Sequence, residues 1–391
     1  MKNYLFLIVM VFMQVSTAYC QKNYKALENT IDSLIKQGDI VGFSACIVKD
    51  TCIKWSYVKG WADVENKLPV SENTLFQLAS LSKTMTGSAL MHLYEKGSFN
   101  LDDDVNMYIP FKIRNPRFLE IPITFRMLLT HTSSLNDNWD YIRTLYGPGD
   151  QTNLSLGEFL KNCYDPKGIN YDTTNFSNYY PGEIWDYCNS NYVLIAYLIE
   201  QISKKPFNVY CKENLFKPLE MNETAWFYSE MDTTHIAVNY DRDTAAVGGK
   251  SRVYHYAWPG YADGCLHTSI PQFANFVIML MNNGKFNGKQ ILKPETISLI
   301  LSPQNVKGTP FRRKPPIVDM GLTWWILESG SKTFFIHEGG GSGIMTFAVF
   351  DPVNKIGTTV FLTGDWHDKN PDSHDKGYNV ILLNILLKNI M

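Results

Sequence analysis

Leu75-Phe76-Gln77-Leu78-Ala79-Ser80-Leu81-Ser82-Lys83 joins a short apolar strand or turn to the start of a helix. Ser80 and Lys83 stand three residues apart, and residues so spaced on a helix share one face. The amine can therefore reach the hydroxyl. A serine hydroxyl at neutral pH is a poor nucleophile until a base or a positive field activates it. Lys83 can supply either, and the helix N-terminus adds its positive end at the same place. Met85, Ala89, Leu90 and Leu93 follow at helical spacing. Lys96-Gly97 then offers a basic last turn and a residue suited to a left-handed cap. The pattern predicts a core-facing helix with Lys83 out of bulk solvent. Taken alone, Ser-x-x-Lys also fits a surface helix with a capping Ser and a solvated Lys.

The chain around this stretch has 391 residues, 45% hydrophobic and 14% aromatic. That is ample for a large core in two structural regions. A net charge of −2 leaves no basic excess for nucleic acid and no polybasic membrane patch. Asp102-Asp103-Asp104, the densest charge run, reads as a solvated loop. Residues 1–20 read as a signal peptide: Lys2, the apolar run Leu5 to Val11, then small residues before cleavage. Cleavage after Cys20 is preferred over Ala18 and leaves Gln21 first, so the protein is expected to be exported, periplasmic or secreted. Val380–Met391 is apolar but shorter than the roughly 20 residues of a spanning helix, and reads as a helix packed on a sheet. No stable membrane span is expected after cleavage. Cys46, Cys52, Cys163, Cys188, Cys211 and Cys265 show no metal-ligand spacing, and their pairing stays open. No metal or cofactor is expected.

Val41–Val48 and Cys52–Val58 read as a hairpin turning at Lys49-Asp50-Thr51. From Leu101 to about Tyr261 the pattern is helical and loop-rich. Phe273–Met281 is a strong helix ended by Asn282-Asn283-Gly284. Leu322–Leu327, Phe334–His337, Thr346–Phe350 and Thr358–Leu362 read as strands between Gly and Asp-Pro turns. This predicts an α+β fold: an antiparallel sheet built from both chain ends, flanked by helices, with an inserted, mainly helical subdomain. The expected division of a single domain over 21–391 is an α/β part at about 21–100 and 262–391 and the helical part at about 101–261.

Two further constellations carry chemistry. Tyr187-Cys188-Asn189 precedes an apolar helix expected over Tyr192–Ile199. The phenol of Tyr187 can face a cleft and act as a base if a neighbouring cation favours its ionised form. Asn189 can donate its amide to a carbonyl, or simply cap the helix. His337-Glu338-Gly339-Gly340-Gly341 ends a strand, and glycines there let a ligand approach the backbone. The Gly340 amide can point at a developing oxyanion. Competing motifs fail. No Gly-x-Ser-x-Gly or His-Glu-x-x-His occurs, and Thr244 breaks a phosphate loop ending in Gly249-Lys250-Ser251. His131 reads as a loop-ordering residue.

Together these pieces resemble the serine β-lactamase and penicillin-binding-protein superfamily, in the branch of class C β-lactamases, D-alanyl-D-alanine carboxypeptidases, esterases and D-aminopeptidases. The order matches: Ser-x-x-Lys, then Tyr-x-Asn, then a third motif near the C-terminus. Thr74-Leu75-Phe76, Ile123 to Ser133, Phe216 to Met221 and Asp263-Gly264-Cys265-Leu266 agree with it. The resemblance implies that Ser80 attacks a carbonyl, and that Lys83 and Tyr187 share the proton handling. It implies that the Ser80 and Gly340 amides hold the oxyanion, Asn189 orients the acyl side chain, and water releases the acyl group. The third motif departs from Lys-Thr-Gly: His337 is a weaker, pH-dependent cation where a substrate carboxylate is met. With Glu338 beside it, β-lactamase activity is expected only as a secondary one beside carboxypeptidase or esterase activity; His337, Gly339 and Gly340 are the expected substrate-binding residues there. Ser134 stands where the loop normally has Gly. The expected activity is a serine hydrolase acting on a small-molecule or peptide amide or ester. A non-catalytic or slowly turning-over penicillin or cell-wall-peptide binder, and an acyltransferase using the same residues, are the alternatives.

Overall fold

A computed structural model describes residues 24–37, 39–150, 152–242, 250–253, 255–308, 317–365, 382 and 385–386. The leader peptide and nearly all of the expected last helix lie outside the described residues. Helix α1 (Lys25–Gln37) is a unit of its own and carries Leu27, Ile31 and Leu34 on one face. The rest of the chain begins with β1 (Asp39–Lys49) and β2 (Cys52–Asp63), joined by a tight turn in which Asp50 has φ +59°. Asp tolerates this left-handed conformation better than most residues. Then come β3 (Leu68–Pro69), β4 (Phe76–Gln77), α2 (Ser82–Tyr94) and α3 (Ser190–Ser203). They are followed by β5 (His267–Thr268), α4 (Ile270–Met281), β6 (Ile317–Met320), β7 (Trp325–Ser329), β8 (Lys332–Gly341), β9 (Ile344–Asp351) and β10 (Ile356–Asp365).

Among the described residues, eight strands form one antiparallel sheet in the order β6-β7-β8-β9-β10-β1-β2-β3. The two chain ends meet at its centre, where Ser44 pairs with Phe361 and Cys46 with Thr359. Every residue of β9 is buried, so this strand is covered on both faces. Helix α4 covers one face: it packs on β1 and β10, with the Phe273 and Phe361 rings edge to face at 5.8 Å. This is the α+β architecture expected from the sequence, with the helical region inserted between the N-terminal strands and α4.

Helix α2 is buried nearly all round, from Ser82 to Leu93, rather than along one stripe. Its polar side chains are tied off internally. Thr84 donates to the Leu81 carbonyl at 2.7 Å, Thr86 to the Ala262 carbonyl at 2.7 Å, and His92 Nδ1 lies 2.7 Å from the Tyr210 hydroxyl. Buried polar groups without such partners would each cost on the order of 1–3 kcal/mol.

Three local expectations are corrected. The Leu322–Leu327 strand begins only at Trp325, because Thr323 turns at φ +85° and gives its amide to the Leu129 carbonyl at 3.1 Å. The glycines after His337 do not follow β8 but belong to it; the turn is at Ser342-Gly343. The aspartate run is not merely solvated. Asp102 takes two 2.8 Å bonds from Arg126, Asp103 takes one of 2.6 Å from the Tyr108 hydroxyl, and Asp104 pairs with Arg114.

Candidate active site

Ser80 sits where three elements grip one short segment. Strand β4 pairs with β5, Phe76 opposite Thr268 and Gln77 opposite His267. The Leu78 amide then bonds the Leu266 carbonyl at 2.8 Å, and Thr346 of β9 donates to the Leu78 carbonyl at 2.6 Å. Ala79 turns through φ +46°, and Ala79–Leu81 form one 3-10 turn leading into α2. A positive φ at a non-glycine residue is strain that surrounding contacts must hold in place. Gly339 of β8 completes the grip. A Cβ there would lie 2.1 Å from the Leu78 carbonyl oxygen and 2.9 Å from the Leu81 nitrogen. Only glycine lets β8 come this close to the Ser80 segment.

Lys83 lies one turn on, fully buried. Its Nζ donates to Ser80 Oγ at 3.0 Å, Asn189 Oδ1 at 2.8 Å and the Asp263 main-chain oxygen at 2.9 Å. An ammonium has three protons, and here each has an acceptor. The Tyr187 ring centre is 5.2 Å from the same nitrogen. Burial favours the neutral amine. The Tyr187 phenol, Asp263 and Asp137 together outweigh it and leave the Lys83 pKa raised. The resting side chain is thus an ammonium.

Tyr187 and Asn189 arrive from the start of α3. That corner is built around Asp137, which sequence reasoning did not single out. Its Oδ2 accepts from the Asn189 amide at 2.8 Å and from Asn189 Nδ2 at 3.0 Å. Its Oδ1 accepts from the Ser190 amide at 2.9 Å, the Ser190 hydroxyl at 2.7 Å and Cys188 Sγ at 3.3 Å. A carboxylate at a helix N-terminus satisfies free amides and meets the positive end of the dipole. Asn189 itself makes no side-chain cap; it bridges Lys83 and Asp137. On the other side the His131 ring stacks on Tyr187 at 4.3 Å, and its Nδ1 accepts from the Cys188 amide at 3.3 Å. Burial, then Lys83 and His337, hold His131 well below the usual histidine range, so it orders the corner as a neutral ring.

These residues floor and flank a cleft of about 550 Å³, whose lining includes Ser80, Tyr187, Asn189 and Gly340. The structure does not bring His337 or Gly339 to that lining. His337 is fully buried, stacked on Trp325 at 4.9 Å, with Nδ1 donating to the Glu338 carbonyl at 2.9 Å. Burial and the Lys83 charge lower its pKa to about 3. It is neutral, which corrects the expectation of a pH-dependent cation offered to substrate. Beyond Ile336, β8 has no ladder partner on its β7 side among the described residues, and its Gly339–Gly341 stretch runs past the Ser80 segment. Asp263 is a second residue that sequence reasoning left without a role: it lines the same cleft. Its place in Asp263-Gly264-Cys265-Leu266, one of the stretches already matched to the resemblance, was the available signal.

Comparison with known proteins agrees with this architecture. Among solved structures, the octameric penicillin-binding protein homologue from Pyrococcus abyssi superposes with a TM-score of 0.75 at 24% identity, covering 94% of this chain and 78% of that one. D-amino acid amidase from Ochrobactrum anthropi SV3, complexed with L-phenylalanine amide, gives 0.71 at 20% identity, over 92% and 96%. At these identities the likeness is one of fold. Protein flp of Staphylococcus aureus (strain N315) is 27% identical over 227 residues, 58% of this chain and 43% of that protein. Penicillin-binding protein 4* of Bacillus subtilis (strain 168) is 25% identical over 303 residues, 74% of this chain and 61% of that protein. The chain thus spans less than two thirds of these curated relatives. The profile of the beta-lactamase family matches residues 27–380, and the chain belongs to that family.

Proposed function

We propose that this protein is a serine hydrolase that opens an amide, peptide or ester through an acyl-enzyme on Ser80. One observation carries the reading: the buried Lys83 ammonium bonds Ser80 Oγ at 3.0 Å at the floor of the cleft that Tyr187 and Asn189 also line. A lysine whose three protons are engaged cannot accept another. Tyr187, as the phenolate beside the Lys83 ammonium, is then the group that takes the Ser80 proton and becomes the neutral phenol. The Ser80 hydroxyl oxygen bonds the substrate carbonyl carbon, and the Ser80 and Gly340 amides receive the oxyanion. The proton on Tyr187 passes to the departing amine or alkoxide. Water, deprotonated by Tyr187, then frees the acyl group.

Hydrolysis of a neutral activated ester by the wild-type protein and by Ser80→Ala tests this. The reading expects turnover in the first and a loss of about 10³-fold or more in the second. Comparable rates would remove Ser80 from the chemistry. The substrate is expected to be a small molecule or peptide. Among the described residues no helix is long and apolar enough to cross a membrane. Export rests on the leader-like residues 1–20, and N-terminal sequencing of the protein recovered outside the cytoplasm should begin at Gln21. A cytoplasmic chain retaining Met1 contradicts it.

A further inference from the structure

The Asp137 carboxylate does more than close a helix. The backbone amides of Asn189 and Ser190 rest on it at 2.8 and 2.9 Å, and capping the α3 N-terminus needs no more than that. A further contact has no part in capping: Asn189 Nδ2 donates to Asp137 Oδ2 at 3.0 Å. The other end of the same carboxamide, Oδ1, accepts from Lys83 Nζ at 2.8 Å. An ammonium offers only donors and a carboxylate only acceptors. Between the two, the Asn189 carboxamide has one favourable orientation. Turned over, it would set N–H against N–H at Lys83 and oxygen against oxygen at Asp137. An amide nitrogen carries two protons, so with one on Asp137 the other serves a group in the cleft that Asn189 lines beside Ser80.

The carboxylate is itself held on a clamped backbone. Both neighbours of Asp137 are tied to the Thr174-Asn175 turn. The Asn136 amide bonds the Asn175 carbonyl at 2.8 Å, Asn136 Nδ2 bonds the Thr174 carbonyl at 3.0 Å, and Asn138 Nδ2 bonds Asn175 Oδ1 at 3.1 Å. Asn175 is 1% exposed, and its own Nδ2 donates to the Cys163 and Asn170 carbonyls at 2.8 and 2.9 Å. Trp139, two residues after Asp137, lines the cleft. One loop thus supplies a wall of the cleft and the anchor of Asn189. Placing groups ahead of the reaction in this way removes the entropy of arranging them during it.

We propose that Asp137 is a positioning residue for the Ser80 reaction: it fixes the Asn189 carboxamide in the orientation that holds Lys83 against Ser80 and keeps one N–H for the acyl group. This rests on the Ser80 acyl-enzyme reading and adds to it a residue that touches neither Ser80 nor Lys83. Its action runs through Asn189, and a role confined to the folding of α3 would not.

A double-mutant cycle separates the two. The kcat/KM for a neutral p-nitrophenyl ester is measured for wild type, Asp137→Ala, Asn189→Ala, the double variant and Ser80→Ala. Asp137→Ala should lose about 10- to 100-fold, and Asn189→Ala at least as much. The double variant should then lie within about twofold of Asn189→Ala, the scatter of uncoupled changes. Losses that multiply in the double variant overturn the proposal, as does a wild-type rate in Asp137→Ala. If Asp137→Ala does not fold, a measurement on wild type decides. The Asn189 Nδ2 protons, assigned by NMR through their loss in Asn189→Ala, should give two distinct lines and exchange slowly with solvent. Exchange as free as that of an exposed asparagine overturns the proposal. If ester turnover disappears in Ser80→Ala while Asp137→Ala matches wild type, the acyl-enzyme reading stands and only the role of Asp137 fails. If turnover survives Ser80→Ala, the acyl-enzyme reading itself fails.

Discussion

At the scale of the residue, the site is a set of hydrogen bonds gathered around one buried ammonium. The sequence made Ser80 and Lys83 legible because their relation is local: three positions on one helix. Tyr187 and Asn189 were legible only through motif order, since no spacing rule brings residues a hundred positions away to Lys83. Asp137 was not legible, because an Asp between two Asn residues looks like any loop until the α3 N-terminus is seen to rest on it. His337 was misread for the same reason. Its ionisation depends on burial against Trp325 and on the Lys83 charge, and neither is written locally. Ser134, which stands where the resemblance expects Gly, has φ +62°. Its hydroxyl accepts from Asn115 at 3.2 Å. Ser134→Gly and Ser134→Ala both lose that bond, but only Ala keeps the left-handed strain. Denaturant unfolding should find the Gly variant more stable than the Ala variant by about 1 kcal/mol. Equal stabilities would mean that the backbone there is not strained.

At the scale of the element, β8 matters more as a wedge than as a display of side chains. Its glycine run is a strand that must approach the Ser80 segment closely, which the sequence shows only as a turn-like cluster. Gly339→Ala tests this. The added methyl meets the Leu78 carbonyl oxygen and the Leu81 nitrogen, both backbone atoms that cannot move independently of Ser80. Overpacking of this kind costs about 1–3 kcal/mol. The expected outcome is a loss of stability in denaturant together with a loss of Ser80 reactivity. Stability and reactivity at wild-type levels would show that β8 does not set the Ser80 geometry. Element boundaries erred where tertiary contacts decide them. α3 starts at Ser190, not Tyr192, because the Asp137 carboxylate supplies partners for the extra amides. β7 starts late because Thr323 is claimed by Leu129.

At the scale of the whole molecule, a sheet made from both chain ends was legible from alternating strands at each end and helices between. Its strand order was not, because pairing β1 with β10 is a tertiary event. The middle of the chain showed only short, Asn- and Asp-rich helices, whose placement depends on side-chain caps. Helix α1 was overlooked although Leu27, Ile31 and Leu34 carry a helical period. The buried histidines give the molecule a pH signature. Burial lowers His92 and His255 to about 4 and His267 and His337 to about 3, and holds His131 well below its usual value. Between these values and the unfolded pKa of about 6.5 the unfolded chain binds the extra protons. Each such group therefore removes up to about 1.4 kcal/mol of stability per pH unit as pH falls. Asp263, raised to about 7, and Asp186 and Glu200, also raised by burial, work in the opposite sense above their unfolded values, but they are three groups against five. Thermal unfolding should show Tm falling steadily from pH 6.5 to pH 4. A Tm constant over that window contradicts burial of these rings as neutral imidazoles.

The account depends on Ser80 being the single activated hydroxyl of the cleft. The most direct measurement is the intact mass, followed by peptide mapping, of the folded protein after brief exposure to a neutral activated phosphonate. One adduct on the peptide containing Ser80, absent in Ser80→Ala and strongly slowed in Lys83→Ala, is the predicted result. No adduct, or an adduct on another residue that persists in Ser80→Ala, contradicts it.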